Sequence, residues 1–256
     1  MFPLRDENPA LHRSVAAFAI IAVNAAVWLF VQKMGTSPGL VQSVWKFGVV
    51  PGELLGKVPP GLEVPAGKDL VAVLDGKPSW WTVLTSMFMH GSWFHLIGNM
   101  WFLAVFGDNV EDSMGSIRFI IFYLICGIAA VTAQVLSGPS SVVPMVGASG
   151  AIGGVMGAYL LLYPRAPVHL LVLFGFIPAR IVVPAFFMLG YWFLLQVAAG
   201  AFDRGTGGVA FWAHIGGFVA GFALVRLFCR SDRLAACRGR RGRTSRLISR
   251  LESRRR

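Results

Sequence analysis

The chain has 256 residues, of which 55% are hydrophobic and 14% charged, and its net charge is +11. The charged fraction is far below the roughly 25% of soluble domains, which excludes an ordinary soluble protein and favours a membrane protein. The three cysteines show neither CxxC nor Cys/His metal-ligand spacing, which excludes a disulfide framework and a zinc-type site. We therefore expect no cofactor and no bound metal.

The apolar segments predict an all-α, polytopic membrane protein with six transmembrane helices. Their expected bounds, in chain order, are 14–34, 81–106, 117–136, 147–163, 181–201 and 209–228, with a polar turn at 107–116. Residues 1–228 would then form one membrane domain. The first connection, 35–79, mixes prolines, lysines and aromatic residues, which indicates a long loop that is partly associated with the membrane. Residues 168–177 are apolar but too short to cross, so we expect them to lie in the membrane interface or to re-enter it.

Positive charge is concentrated at the C-terminal end. Residues 226–256 contain twelve arginines against two acidic residues. Positive charge favours the cytoplasmic side, so we expect a cytoplasmic Arg-rich tail at 229–256 and, with six crossings, a cytoplasmic N-terminus. Arg165 and Arg180 flank the fourth connection on the same side, whereas the lysines of the first connection are exceptions. We expect a plasma membrane of bacterial type, with the tail near anionic lipid headgroups; nucleic-acid binding by the tail has weaker support.

Four polar residues stand out on three segments that begin at the same, outer face. His95 and Asn99 are four residues apart on the second segment and share one helix face. Ser149 opens the fourth segment, and His214 lies about 8 Å below the start of the sixth, at 1.5 Å per residue. Small residues recur at four-residue spacing, as in Gly150 and Gly154 on the fourth segment and Gly217 and Gly221 on the sixth. Such residues let helices approach closely. The four side chains can therefore converge near the outer surface.

This combination of residues fits nucleophilic catalysis. Ser149 becomes a nucleophile when a base takes its proton, and a neutral histidine such as His214 is a suitable base. Asn99 and His95 could donate hydrogen bonds to a developing oxyanion, together with amides at the helix start. The acidic residues after the second segment lie at its other end, so we expect a two-residue Ser-His unit rather than a triad.

Other interpretations are open at this point. Ser149 and the glycines could serve packing alone. A metal site of His90, His95 and His214 has weak support, because the first two are five residues apart and no carboxylate accompanies them. A transporter or channel lined by polar residues is a further alternative, although no internal repeat supports it. His12 and His169 receive no function.

The motifs that carry these residues resemble the rhomboid family of intramembrane serine proteases. The matching motifs are His90-x4-His95-x3-Asn99, Gly107-x3-Glu111-x3-Gly115, Gly147-Ala148-Ser149-Gly150 and Ala213-His214-x2-Gly217-x3-Gly221. The resemblance implies a six-helix core and cleavage of transmembrane protein substrates near the outer membrane face. It also implies that Ser149 is the nucleophile, His214 the base, Asn99 and His95 oxyanion ligands, and Glu111 structural.

Two positions differ from the pattern of many relatives. Trp80-Trp81 stands where relatives have Trp-Arg, and Gly153 stands where they have an aromatic residue against the catalytic histidine. Phe211 or Trp212 is therefore expected to support His214. An alternative within the same family is a catalytically inactive rhomboid-like protein that binds transmembrane clients. Loss of the serine or the histidine would mark that class, and both are present.

Overall fold

The computed structural model describes residues 2–67, 70–174, 177–203 and 208–233. Its α-helices are α1 (Val15–Ala26), α2 (Gly39–Phe47), α3 (Pro51–Leu54), α4 (Thr82–Thr85), α5 (Trp93–Met114), α6 (Ser116–Ser137), α7 (Ser149–Leu162), α8 (Ala185–Phe202) and α9 (Phe211–Phe228). Its strands are β1 (Phe2–Asp6), β2 (Leu62–Pro65), β3 (Val71–Leu74), β4 (Pro167–Phe174) and β5 (Ile177–Pro184). Most of the predicted Arg-rich tail lies outside the described residues.

The described part of the chain is mostly helical, but the all-α expectation is wrong in detail because strands are present. β1, β4 and β5 form an antiparallel sheet, and β2 pairs with β3. Of the region expected to lie in the interface or to re-enter the membrane, residues 168–174 belong to strand β4, Ile177 begins β5, and residues 175–176 lie outside the described residues. The helix expected from residue 181 begins instead at Ala185. Pro184 disfavours a helical conformation for the residue before it, so the preceding residues remain extended as β5.

The second long helix also differs from its expected bounds. α5 begins at Trp93, where the Ser92 side chain caps it by accepting a hydrogen bond from the His95 amide at 3.1 Å. It continues to Met114, so the polar turn expected at 107–116 is wrong. The acidic residues there remain helical because they have partners in the fold. Each carboxylate oxygen of buried Glu111 accepts a backbone amide from the first turn of α1, at 2.9 and 2.8 Å.

Helix α7 lies at the centre of the helical bundle, in contact with α5, α6, α8 and α9. Its contact with α9 depends on glycine. A Cβ atom added at Gly217 would lie 1.9 Å from the carbonyl oxygen of Gly150, and one added at Gly221 would lie 1.9 Å from that of Gly154. The two backbones are therefore in direct contact, as the small-residue spacing predicts.

The first connection folds onto the loop that leads into α7. Val49 and Met145 exchange two backbone hydrogen bonds, of 3.0 and 2.7 Å, and the Gly52 amide donates to the Ser141 carbonyl at 2.8 Å. Trp81 packs edge-on against Phe47, with ring centroids 5.8 Å apart. These contacts fix the backbone that precedes Ser149.

Within the described residues, three helices are both long and apolar enough to cross a membrane: α6, α8 and α9. The apolar helices Val15–Val31, which combines α1 with a π-helical turn, and α7 are shorter. The structure thus supports a multi-helix membrane protein, and the count of six crossings stays a prediction.

Candidate active site

Ser149 is the first residue of α7, at the end of a turn that only glycine suits. Gly147 has a φ of +132°, and its amide donates to the Ser86 carbonyl at 2.9 Å. A Cβ atom at Gly147 would lie 2.7 Å from Nε2 of His95, so the imidazole ring packs directly on the glycine backbone. The turn therefore brings Ser149 and His95 to the same place.

His214 on α9 meets Ser149 on α7. Its Nε2 lies 2.8 Å from the Ser149 Oγ, which is hydrogen-bond distance. The close packing of the two helices makes this possible, because side chains as short as serine and histidine meet only when the backbones are near. The arrangement can transfer the serine proton to the imidazole.

Gln196 on α8 contacts the other imidazole nitrogen of His214. The Gln196 Oε1 lies 2.8 Å from Nδ1. This residue is not among those predicted from the sequence. A signal was available, because Gln196 is a polar residue inside the otherwise apolar helix Ala185–Phe202, and polar groups in such segments are often functional.

The ring that supports His214 is Trp192, one turn before Gln196 on the same face of α8. The Trp192 and His214 ring centroids are 5.8 Å apart. The residues expected in this role, Phe211 and Trp212, instead border Gly200. A Cβ atom at Gly153 would lie 3.0 Å from the His214 carbonyl oxygen, so a larger residue there would require a small shift of the α9 backbone.

Asn99 and His95 line the same cavity as Ser149. Asn99 is buried, and within the described part of the chain its Nδ2 has no hydrogen-bond partner. The Gly91 amide lies 3.4 Å from Nδ1 of His95, which leaves Nε2 of His95 to carry the proton. Both side chains thus present an N–H group that an incoming oxygen atom could accept from.

A cavity of about 590 Å³ joins these groups. It lies between α5, α7, α8 and α9, and it is within the roughly 300–1,000 Å³ range of ligand pockets. Its ionisable lining residues, among those described, are His95, Asp203 and His214. Apolar side chains such as Phe94 and Ile152 form much of the remaining wall.

The sequence model of the rhomboid domain matches residues 77–231, which include all of these site residues. The chain belongs to the rhomboid family. The match covers more than half of the chain, and the family is one of integral membrane proteins.

Relatives of this rhomboid occur in plants and bacteria. The chain is 30% identical over 162 residues to Rhomboid-like protein 11, chloroplastic, of Arabidopsis thaliana, which covers 60% of this chain and 54% of the relative. It is 35% identical over 143 residues to Rhomboid protease GluP of Bacillus subtilis, covering 56% of this chain and 25% of the relative. It is 30% identical over 141 residues to the putative rhomboid protease YdcA of the same bacterium, covering 55% and 59%. The matched part of the chain thus spans less than two thirds of each of these relatives.

The remaining histidines of the rhomboid chain have other surroundings. His12 contacts Asp112 at 2.5 Å, and His169 contacts Glu7 at 2.7 Å. His90 is fully buried and packs edge-on against His95, with ring centroids 5.1 Å apart. Within the described residues, no group of three or more His, Cys, Asp or Glu side chains is arranged to hold a metal ion.

Proposed function

We propose that this rhomboid is an intramembrane serine endopeptidase that uses Ser149 and His214 as a catalytic dyad. The observation that carries the proposal is the 2.8 Å contact between the Ser149 Oγ and the His214 Nε2, at the wall of a large cavity. Two of its bacterial relatives are named rhomboid proteases. The third interacting residue, Gln196, is an amide rather than a carboxylate, so the site differs from a Ser-His-Asp triad.

The first half of the reaction forms an acyl-enzyme. As the Ser149 Oγ attacks the scissile carbonyl carbon, its proton moves to Nε2 of His214. The carbonyl oxygen becomes an oxyanion, which the N–H groups of Asn99, His95 and the first turn of α7 stabilise. His214 then gives its proton to the departing amine, and the carbonyl re-forms as an ester on Ser149.

The second half of the reaction consumes water. His214 takes a proton from a water molecule as the water oxygen attacks the ester carbonyl. The oxyanion groups act again, and collapse of the intermediate returns the proton from His214 to the Ser149 Oγ. The products are a new carboxylate on one peptide fragment and the amine released earlier on the other.

The proposed substrates are transmembrane proteins, cut near the outer membrane face. In this proposal, the segment 1–228 is one membrane domain in which α1, α5, α6, α7, α8 and α9 each cross. Both termini then lie in the cytoplasm, and Ser149 lies near the outer surface, where water has access. The Arg-rich tail would lie against anionic lipid headgroups of a bacterial-type plasma membrane.

The test is cleavage of a single-span reporter protein by the purified rhomboid in detergent or liposomes. Wild type should cut the reporter, and Ser149→Ala and His214→Ala should each abolish cleavage while they keep the thermal unfolding midpoint of the wild type. Normal cleavage by Ser149→Ala would overturn the mechanism. Co-purification of the reporter with wild type, without any cleavage, would instead support an inactive rhomboid-like client binder.

A further inference from the structure

We propose that Gln196 is a positioning residue that holds His214 in the one tautomer able to accept the serine proton. This inference rests on the proposed Ser149–His214 dyad and adds a third member to it. Its basis is a chain of two hydrogen bonds across three helices, each 2.8 Å long: Gln196 Oε1 to His214 Nδ1, and His214 Nε2 to Ser149 Oγ.

The chemistry of a neutral imidazole explains why the partner of Nδ1 matters. One ring nitrogen carries a proton and the other carries a lone pair. The amide oxygen of Gln196 can only accept a hydrogen bond, so it selects the tautomer with the proton on Nδ1. The lone pair is then on Nε2, directed at the Ser149 hydroxyl. The opposite tautomer would place a proton between Nε2 and Oγ, and His214 could not act as a base.

Helix α8 holds the imidazole at two points. Gln196 and Trp192 are four residues apart and share one helix face. Trp192 packs on the His214 ring, with centroids 5.8 Å apart, while Gln196 fixes the rotation of that ring through Nδ1. Packing alone leaves the two ring nitrogens equivalent, so Gln196 is the contact that distinguishes them.

A glutamine suits this position better than a carboxylate. The neighbouring α8 side chains Leu194, Leu195 and Val197 are apolar and exposed, as expected of a lipid-facing surface. A charged group at the edge of such a surface carries a large desolvation cost, whereas a neutral amide costs much less. The amide still provides the acceptor oxygen that orients the base.

The first test compares Gln196→Leu with wild type in the reporter assay. Leucine has a similar size and no acceptor, so we expect kcat to fall about 10- to 100-fold, less than the ~10⁴ that a wrong tautomer costs a serine protease triad. The KM should change less than threefold, because Gln196 does not line the cavity. The matched control is Gln42→Leu, an exposed glutamine on α2, which should keep wild-type kinetics. Wild-type kcat in Gln196→Leu, with wild-type cleavage intact, would overturn the inference.

The second test is the pH dependence of kcat in Gln196→Glu. If Gln196 had a purely structural role, this pH profile would be the same as in wild type. Glutamate restores the acceptor, so activity should recover relative to Gln196→Leu. Its negative charge also stabilises the protonated imidazole, which cannot act as a base, so the acid limb of the kcat profile should move to higher pH than in wild type. The other ionisable groups that line the cavity among the described residues, His95 and Asp203, are the same in both proteins. Recovery with an unshifted acid limb would support the inference with a neutral carboxyl, whose carbonyl oxygen still accepts from Nδ1. No recovery over Gln196→Leu at any pH would contradict the inference.

These outcomes separate the two proposals. If wild type itself fails to cleave the reporter, the proposed protease function fails and the role of Gln196 fails with it. If wild type cleaves and Ser149→Ala does not, but Gln196→Leu matches wild type, only the positioning role fails.

Discussion

At the residue scale, the proposed oxyanion donors differ from the proposed dyad in how much activity their loss should cost. The buried Asn99 amide nitrogen has no hydrogen-bond partner among the described residues, so its donor capacity is unused in the absence of substrate. We expect Asn99→Ala to lower kcat by about 10²- to 10³-fold, as for the loss of one oxyanion donor. Cleavage should stay measurably above the Ser149→Ala background, because His95 and the α7 amides remain. Wild-type turnover in Asn99→Ala would remove Asn99 from the mechanism.

The residues of the site differ in how well sequence could reveal them. Ser149, His214, His95 and Asn99 lie in short motifs with fixed spacing, and the structure brings them to one cavity. Gln196 lies in no such motif, and its partner is 18 positions away on another helix. The support of His214 by Trp192 also depends on how α8 packs, which sequence periodicity does not specify. The contacts that α8 makes with His214 were therefore not predictable from sequence motifs.

At the element scale, the contact between α7 and α9 should tolerate no added methyl group. Gly217→Ala would place a Cβ atom 1.9 Å from the Gly150 carbonyl oxygen, and backbone cannot move aside as a side chain can. We expect a loss of about 1–3 kcal/mol in stability, as for an overpacked core, measured as a lower thermal unfolding midpoint. Cleavage should fall too, since the helices carry Ser149 and His214.

The matched control for that substitution is Gly190→Ala on α8. A Cβ atom at Gly190 meets nothing within 4 Å, so only the higher helix propensity of alanine applies. Its unfolding midpoint should equal or exceed that of the wild type. An equal loss of stability in Gly190→Ala and Gly217→Ala would show that close packing is not the cause.

A second element-scale prediction concerns the junction of α5 and α1. Both carboxylate oxygens of Glu111 accept amides from the first turn of α1, and the Ser116 hydroxyl donates to one of them at 2.5 Å. Glu111→Gln replaces one acceptor with an NH₂ group and leaves a buried amide unpaired, which costs about 1–3 kcal/mol. The exposed Glu63→Gln on β2 is the control and should unfold like the wild type. Equal unfolding midpoints in the two variants would refute a structural role for Glu111.

The predicted element boundaries were wrong where the local composition favours one structure and tertiary contacts stabilise another. The acidic end of α5 has the composition of a turn, yet it is helical because α1 satisfies Glu111. The apolar residues of β5 have the composition of a spanning helix, yet they pair with β4 along their whole length, from Ile177 to Pro184. Hydropathy predicted a polar turn for the first segment and a spanning helix for the second. It could not specify which neighbouring element would satisfy their hydrogen-bonding groups.

At the scale of the whole molecule, the proposed six crossings would place the first connection and the strands β4 and β5 on opposite sides of the membrane. Glu63→Cys on β2 and Arg165→Cys before β4 introduce thiols at exposed positions. In intact bacterial cells, a membrane-impermeant maleimide should label Glu63→Cys, and it should label Arg165→Cys only after permeabilisation. The parent chain gives the background of the native cysteines. Labelling of both positions from the same side would contradict the six-crossing topology.

The central claim is that Ser149 is a nucleophile activated by His214, and covalent labelling tests it most directly. The purified rhomboid in liposomes is treated with a fluorophosphonate, which reacts with activated serines, and the modified residue is located by mass spectrometry. The account predicts one adduct on Ser149, labelling that is lost in Ser149→Ala, and labelling that is at least 100-fold slower in His214→Ala. Labelling of Ser149 at the wild-type rate in His214→Ala, or no adduct on Ser149 in a wild-type protein that cleaves the reporter, would contradict it.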